Sequence, residues 1–91
     1  MRAQELVAWN LRRLRVARDL SQEALAVDAG IDRTYVSRLE RGLENPTLAV
    51  LEGLAIALSA NITEFFAVPE PGTPRPRALP GGRRARSQIR R

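Results

Sequence analysis

The chain has no cysteine, no histidine and no lysine in its 91 residues. Without cysteine and histidine, disulfides and the usual zinc sites are excluded together, so the fold must stand on packing alone, as suits a reducing cytosol. No apolar run approaches the roughly 20 residues of a membrane span, and the N-terminus lacks a secretory apolar region. The expectation is a soluble, cytoplasmic protein. Enzyme chemistry is also poorly supplied: there is no glycine-rich phosphate loop and no convergent acid pair, and a chain this short lacks room for a substrate pocket beside its core. We therefore expect no catalytic residues, no metal and no cofactor.

What is present is arginine. The formal charge is +5, which suggests a polyanion partner, but its distribution changes that reading. Residues 1–66 hold eight arginines against nine carboxylates, a net of −1. Residues 67–91 hold seven arginines against Glu70 alone, a net of +6. The excess belongs to the tail, so the first 66 residues must bind any polyanion through local placement of charge.

Those 66 residues read as helix throughout. Val7, Leu11, Leu14 and Ala17 follow the spacing of an amphipathic helix, which should stop near Asp19, a residue tolerant of left-handed backbone. Ser21 is a good N-cap for a second helix, with Glu23 in its first turn, and Gly30 ends it. Asp32 caps a third helix, running from about Arg33 to Arg41, and Gly42 ends it. Asn45-Pro46-Thr47 turns the chain into a fourth, from about Leu48 to Leu58. Asn61 with Glu64 resembles a capping box for a last short helix ending at Phe66. After Val68, five prolines and three glycines forbid regular helix until at least Arg83. With little apolar surface to offset its ordering entropy, residues 67–91 read as a disordered Pro/Gly/Arg-rich tail.

The informative stretch is Gln22 to Gly42, QEALAVDAGIDRTYVSRLERG. Two short helices are joined by a three-residue turn. Ala26 is small where the helices cross, Gly30 supplies positive φ, and Leu25, Val36 and Leu39 are spaced to face one core. This is the pattern of a helix-turn-helix, whose second helix enters the major groove.

From about Leu11 to Phe66 the sequence resembles the phage-repressor-like family, the Xre-type regulators: LRRLR, LSQEALA, AGIDRTYVSRLERG, NPTL, LAIAL and EFF occur in the family's order and spacing. The resemblance implies an all-α, five-helix lambda-repressor-like domain acting as a dimer on a palindromic operator. Asp19 and Ser59 stand where the family often has glycine, which implies looser helix ends there.

Arg33, Thr34, Ser37 and Arg38 fall on one side of the third helix, opposite Val36 and Leu39. Arginine can bond guanine O6 and N7 bidentately, and threonine and serine are adaptable. In similar repressors the matching positions touch base edges; the alternative is an ordinary solvated face. Gln22 at the start of the second helix can help bind a phosphate. Tyr35 and Asn45 look like further phosphate contacts, although the Tyr35 ring can equally pack inward. Arg18 and Arg41 can join them. The resemblance further implies that Arg15 and Glu40 form an internal ion pair linking the first and third helices. Trp9 reads as packing.

The fourth helix is apolar all round. Leu48, Leu51, Leu54, Ala55 and Leu58 make a core stripe, while Ala49, Val50, Gly53, Ile56, Ala57 and Ala60 occupy the back. A helix of this kind is normally covered on both sides. The expected cover is a second copy of the chain, with Ile62 and Phe65 or Phe66 extending the interface. The alternative is a tolerated alanine-rich surface.

The function these features indicate is a homodimeric, sequence-specific transcriptional regulator of double-stranded DNA. A restriction–modification controller is one form, since DRTYVS resembles that group. The competing class is a protein-binding module, an antitoxin that sequesters a toxin or an adaptor. The tail arginines can add sequence-independent phosphate affinity, dock on RNA or an acidic protein, or simply be solvated.

Overall fold

The computed structural model describes residues 1–76. Among them the chain forms four α-helices and one 3-10 helix: α1 (Ala3–Ala17), α2 (Gln22–Ala29), α3 (Arg33–Glu40), α4 (Leu48–Ala57) and η1 (Ile62–Phe66). The all-α expectation holds, with one correction. The fifth helix is a single 3-10 element rather than an α-helix, because five residues between Asn61 and Ala67 are too few to sustain α-helical pairing.

Local chemistry explains most boundaries. The Glu5 carboxylate accepts the Arg2 backbone N–H at 3.0 Å where α1 begins. Ser21 accepts the Ala24 N–H at 3.0 Å, and Thr47 accepts the Val50 N–H at 3.1 Å, each satisfying a donor left free at a helix start. Asn61 and Glu64 form the expected capping box. Asp32 stands at the N-cap of α3 but its side chain makes no cap bond. Gly30 takes φ 70° between α2 and α3. Asp19 and Ser59 take the left-handed conformation without being glycine, at φ 56° and 52°. Both helix ends are nevertheless closed by backbone bonds, Leu20 N to Arg15 O at 3.1 Å and Ala60 N to Ala55 O at 2.9 Å.

The core lies where the helices meet. Leu11, Leu25, Val36, Leu54 and Phe65 are wholly buried, with Leu14, Leu39, Leu51 and Leu58 nearly so. The α2–α3 pair packs against itself, α1 packs on α3 and η1, and α2 packs on α4. Two assignments from the sequence change. Leu48 is 75% exposed and leaves the core stripe, since it opens α4 beyond the edge of the packed layer. Phe65 is fully buried and cannot belong to an exposed interface; the 3-10 turn directs it inward and leaves Phe66 outside.

One buried polar residue ties the end of the domain to its beginning. Asn10 is 1% exposed. Its amide donates to the carbonyls of Leu6 at 3.0 Å, Phe65 at 2.9 Å and Ala67 at 2.8 Å, while Arg13 Nε donates to its oxygen at 3.1 Å. The segment after η1 thus starts from a fixed point. It makes a turn in which Thr73 N donates to Glu70 O at 3.1 Å, and Arg75 Nη2 reaches Glu40 O at the end of α3 at 3.4 Å. Of the tail arginines only Arg75 is described; Arg77, Arg83, Arg84, Arg86, Arg90 and Arg91 lie outside the described residues. No helix among the described residues is long and apolar enough to cross a membrane.

Candidate nucleic-acid interface

The orientation of α3 is set by a buried carboxylate. Glu40 and Arg15 are each 2% exposed. Arg15 donates to Glu40 through Nε at 2.5 Å and Nη2 at 2.9 Å, and its third nitrogen caps Leu20 O at 2.7 Å. Gln22 Nε2 donates to the same carboxylate at 3.1 Å. Arg12 Nε stands 3.8 Å from it, buried and without a hydrogen-bond partner among the described residues. One side chain of α3 therefore keys α1 through Arg15 and α2 through Gln22. The internal pair implied by the resemblance is present, and Gln22 is its third member. In this arrangement the Gln22 amide nitrogen faces inward to Glu40.

With α3 held so, Val36 and Leu39 point into the core while Arg33 and Thr34 are exposed and Ser37 and Arg38 half-buried. The four candidate base contacts lie on one presented face. Arg38 does not stand free: its Nε donates to Glu44 Oε2 at 2.7 Å. Arg41 and Asn45 are exposed just beyond the end of α3. Arg18 is exposed at the end of α1, with Nη1 3.4 Å from Leu14 O. Tyr35 is half-buried, its ring packed on the edge of the core. Burial raises its hydroxyl above the ordinary 10.0, and the negative charge of Glu44 adds to the shift. The ring packs against the core while part of the residue stays exposed.

Sequence reasoning passed over Asn10, Arg12 and Glu44. Asn10 had a visible signal, a polar residue three positions after Val7 on the apolar stripe of α1. Glu44 had none, because its partners Arg38 and Gln4 are brought to it by the fold: Gln4 Nε2 donates to Glu44 O at 2.8 Å.

The back of α4 is less uniform than its composition. Ala49 and Ile56 are exposed, Ile56 by 74%, and Phe66 by 44%. Val50, Ala57, Ala60 and Ile62 are half-buried against the core. Gly53 is half-buried, and a Cβ on it would meet nothing within 4 Å among the described residues.

The family pattern HTH_3, Helix-turn-helix, matches residues 11–65. The hypothetical transcription factor of Neisseria meningitidis serogroup B is 40% identical over 65 residues, covering 71% of this chain. The chain spans only 61% of that protein's length. Among solved structures, the restriction-modification controller protein C.AhdI from Aeromonas hydrophila superposes with a TM-score of 0.68 at 43% identity, covering 69% of this chain and 96% of that one. The controller C.Esp1396I, solved as a tetramer in complex with its natural 35 base-pair operator, gives 0.67 at 30% identity, over 72% of this chain and 87% of that one.

Proposed function

The chain belongs to the helix-turn-helix family HTH_3, and on that premise we propose that it is a DNA-binding transcriptional regulator of the controller kind, reading a palindromic operator as a homodimer. The role is regulatory, not enzymatic, and cytoplasmic. The observation that carries this reading is the Arg33–Thr34–Ser37–Arg38 face on a helix whose rotation is fixed by the buried Arg15–Glu40 pair and the half-buried Gln22 bonded to it. Such a face enters a major groove with its side chains against base edges. Tyr35, Asn45, Arg18 and Arg41 set register on the phosphates. Gln22 joins them through the start of α2. The tail from residue 67 onward adds sequence-independent affinity.

Two copies are needed because one reading helix spans too few base pairs to discriminate, and a two-fold axis places two of them about one helical turn apart. The back of α4 supports that axis. Gly53 weakens a helix interior by about 0.5–1 kcal/mol relative to alanine, yet no neighbour among the described residues requires the missing Cβ. A second chain approaching at Gly53, with Ala49, Val50, Ile56, Ala57 and Ala60 around it and Ile62 and Phe66 beyond, accounts for both the glycine and the exposed isoleucine.

The test is selection of bound fragments from random duplex DNA with the wild type and with Arg33→Ala. The variant is expected to lose about 1–3 kcal/mol on the selected site and to relax preference at particular base pairs. An unchanged preference refutes α3 as the reading helix.

A further inference from the structure

Glu44 follows α3 in a loop and is held from two sides. Its carbonyl accepts Gln4 Nε2 of α1 at 2.8 Å, which fixes the loop against the body of the domain. Its carboxylate accepts Arg38 Nε at 2.7 Å. The Arg38 side chain is 43% exposed and that of Glu44 28%, so the pair stands at the rim of the presented face rather than inside the core. The same carboxylate is close enough to Tyr35 for its charge to disfavour ionisation of the phenol. A negative group is thus set beside two residues of the face proposed to meet DNA, where it opposes phosphate binding.

The geometry of Arg38 accounts for what that charge does. A bond at Nε leaves the two terminal nitrogens outside it, and these form the parallel donor pair that grips guanine O6 and N7. An unrestrained arginine samples many rotamers and takes a nearby phosphate as readily as a base; one tied at Nε is preorganised. Its charge is also partly neutralised, which weakens a phosphate contact more than a directional bidentate one.

We infer that Glu44 is a specificity-determining positioning residue, whose carboxylate presents Arg38 to a guanine edge and withholds it from the phosphate backbone. This rests on the reading of Arg38 as a base contact. It goes beyond that reading by assigning the discrimination to a residue that touches no base.

The experiment compares full-length wild type, Glu44→Gln, Arg38→Ala and the double variant. Probes are the site selected from random DNA, the same duplex changed at each base pair in turn, and a scrambled duplex. Glu44→Gln keeps the loop's backbone bond, and its melting temperature provides the check that it folds. It is expected to bind the scrambled duplex more tightly than wild type, with a salt slope steeper by about 0.9 as Arg38 takes a phosphate. At the base pair that Arg38→Ala identifies, its discrimination is expected to fall roughly fivefold or more. In the Arg38→Ala background the Glu44 change should leave base preference untouched. If Glu44→Gln alters affinity for all duplexes by the same factor, or by none, while Arg38→Ala abolishes one preference, the positioning role is overturned and the base contact stands. If Arg38→Ala changes no preference, both fall.

Discussion

Replacing Glu40 by glutamine removes the one carboxylate that faces Arg15, and the structure allows the cost to be worked out. Arg15 is 2% exposed, so its charge cannot be recovered by water. It would keep the Leu20 carbonyl at 2.7 Å and lose the ionic character of both bonds to Glu40. Stranding one member of a buried pair costs about 3–5 kcal/mol. A domain of this size holds only about 4–11 kcal/mol in all. At about 4–8 °C per kcal/mol for such domains, Glu40→Gln should melt at least about 12 °C below wild type. Arg15→Met should cost less, because Glu40 would retain Gln22 at 3.1 Å and have Arg12 Nε 3.8 Å away to take it. The double variant Arg15→Met/Glu40→Gln buries no charge at that pair and should lose less than the two singles summed. Far-ultraviolet circular dichroism melts of these variants, with operator titration below each melting point, separate loss of fold from misorientation of α3. Losses under about 1 kcal/mol that simply add would refute the key, since additivity is the mark of sites that do not interact. A larger loss for Arg15→Met than for Glu40→Gln would refute the part assigned to Arg12.

Asn10→Leu strips donors from the Phe65 and Ala67 carbonyls and should destabilise by about 1–3 kcal/mol. Hydrogen exchange should quicken first in η1 and the segment after it; protection unchanged there would disprove the clip. Tyr35 is the only tyrosine, so its absorbance titration is unambiguous: the midpoint should lie above 10.0, and Glu44→Gln should bring it down. Because the folded value is raised, its contribution to stability is fully present below the unfolded pKa and is lost as pH rises through the folded one; a midpoint at or below the ordinary value contradicts the burial seen here. Ile56→Glu should remain helical, sediment as a monomer and lose tight binding to a paired site. Gly53→Ala should raise monomer stability by about 0.5–1 kcal/mol while weakening dimerisation, and a wild type monomeric at tens of micromolar with and without DNA would remove the basis for both.

How much of this was legible beforehand depends on the range of the interactions. Helix starts at Ser21, Thr47 and Asn61, the turn at Gly30 and the opposition of Arg33 and Thr34 to Val36 and Leu39 were all readable, because each is decided within about four residues by cap chemistry and helical period. The Arg15–Glu40 pair was reachable only through the family resemblance, for nothing in the spacing of the two residues joins them. Local period failed where it was ambiguous. The fourth helix is apolar on every side, so composition cannot fix its rotation, and Leu48, which the period places inward, is exposed. The last element has two adjacent phenylalanines in a 3-10 turn, where an α-helical count cannot decide which one is buried.

The sequence by itself determined the order of the elements, the caps at Ser21, Thr47 and Asn61 and the chemistry of the presented face, since these follow from neighbours along the chain. The tertiary structure alone decided the partners of the polar groups. Asn10 meets carbonyls 55 and 57 residues away, Gln4 meets Glu44 across 40, and Gln22 joins Glu40 across 18. Such pairings depend on which helix faces cross and at what angle. They are set by the packing of Leu11, Leu25, Val36, Leu54 and Phe65, which places the polar groups only after the core has closed.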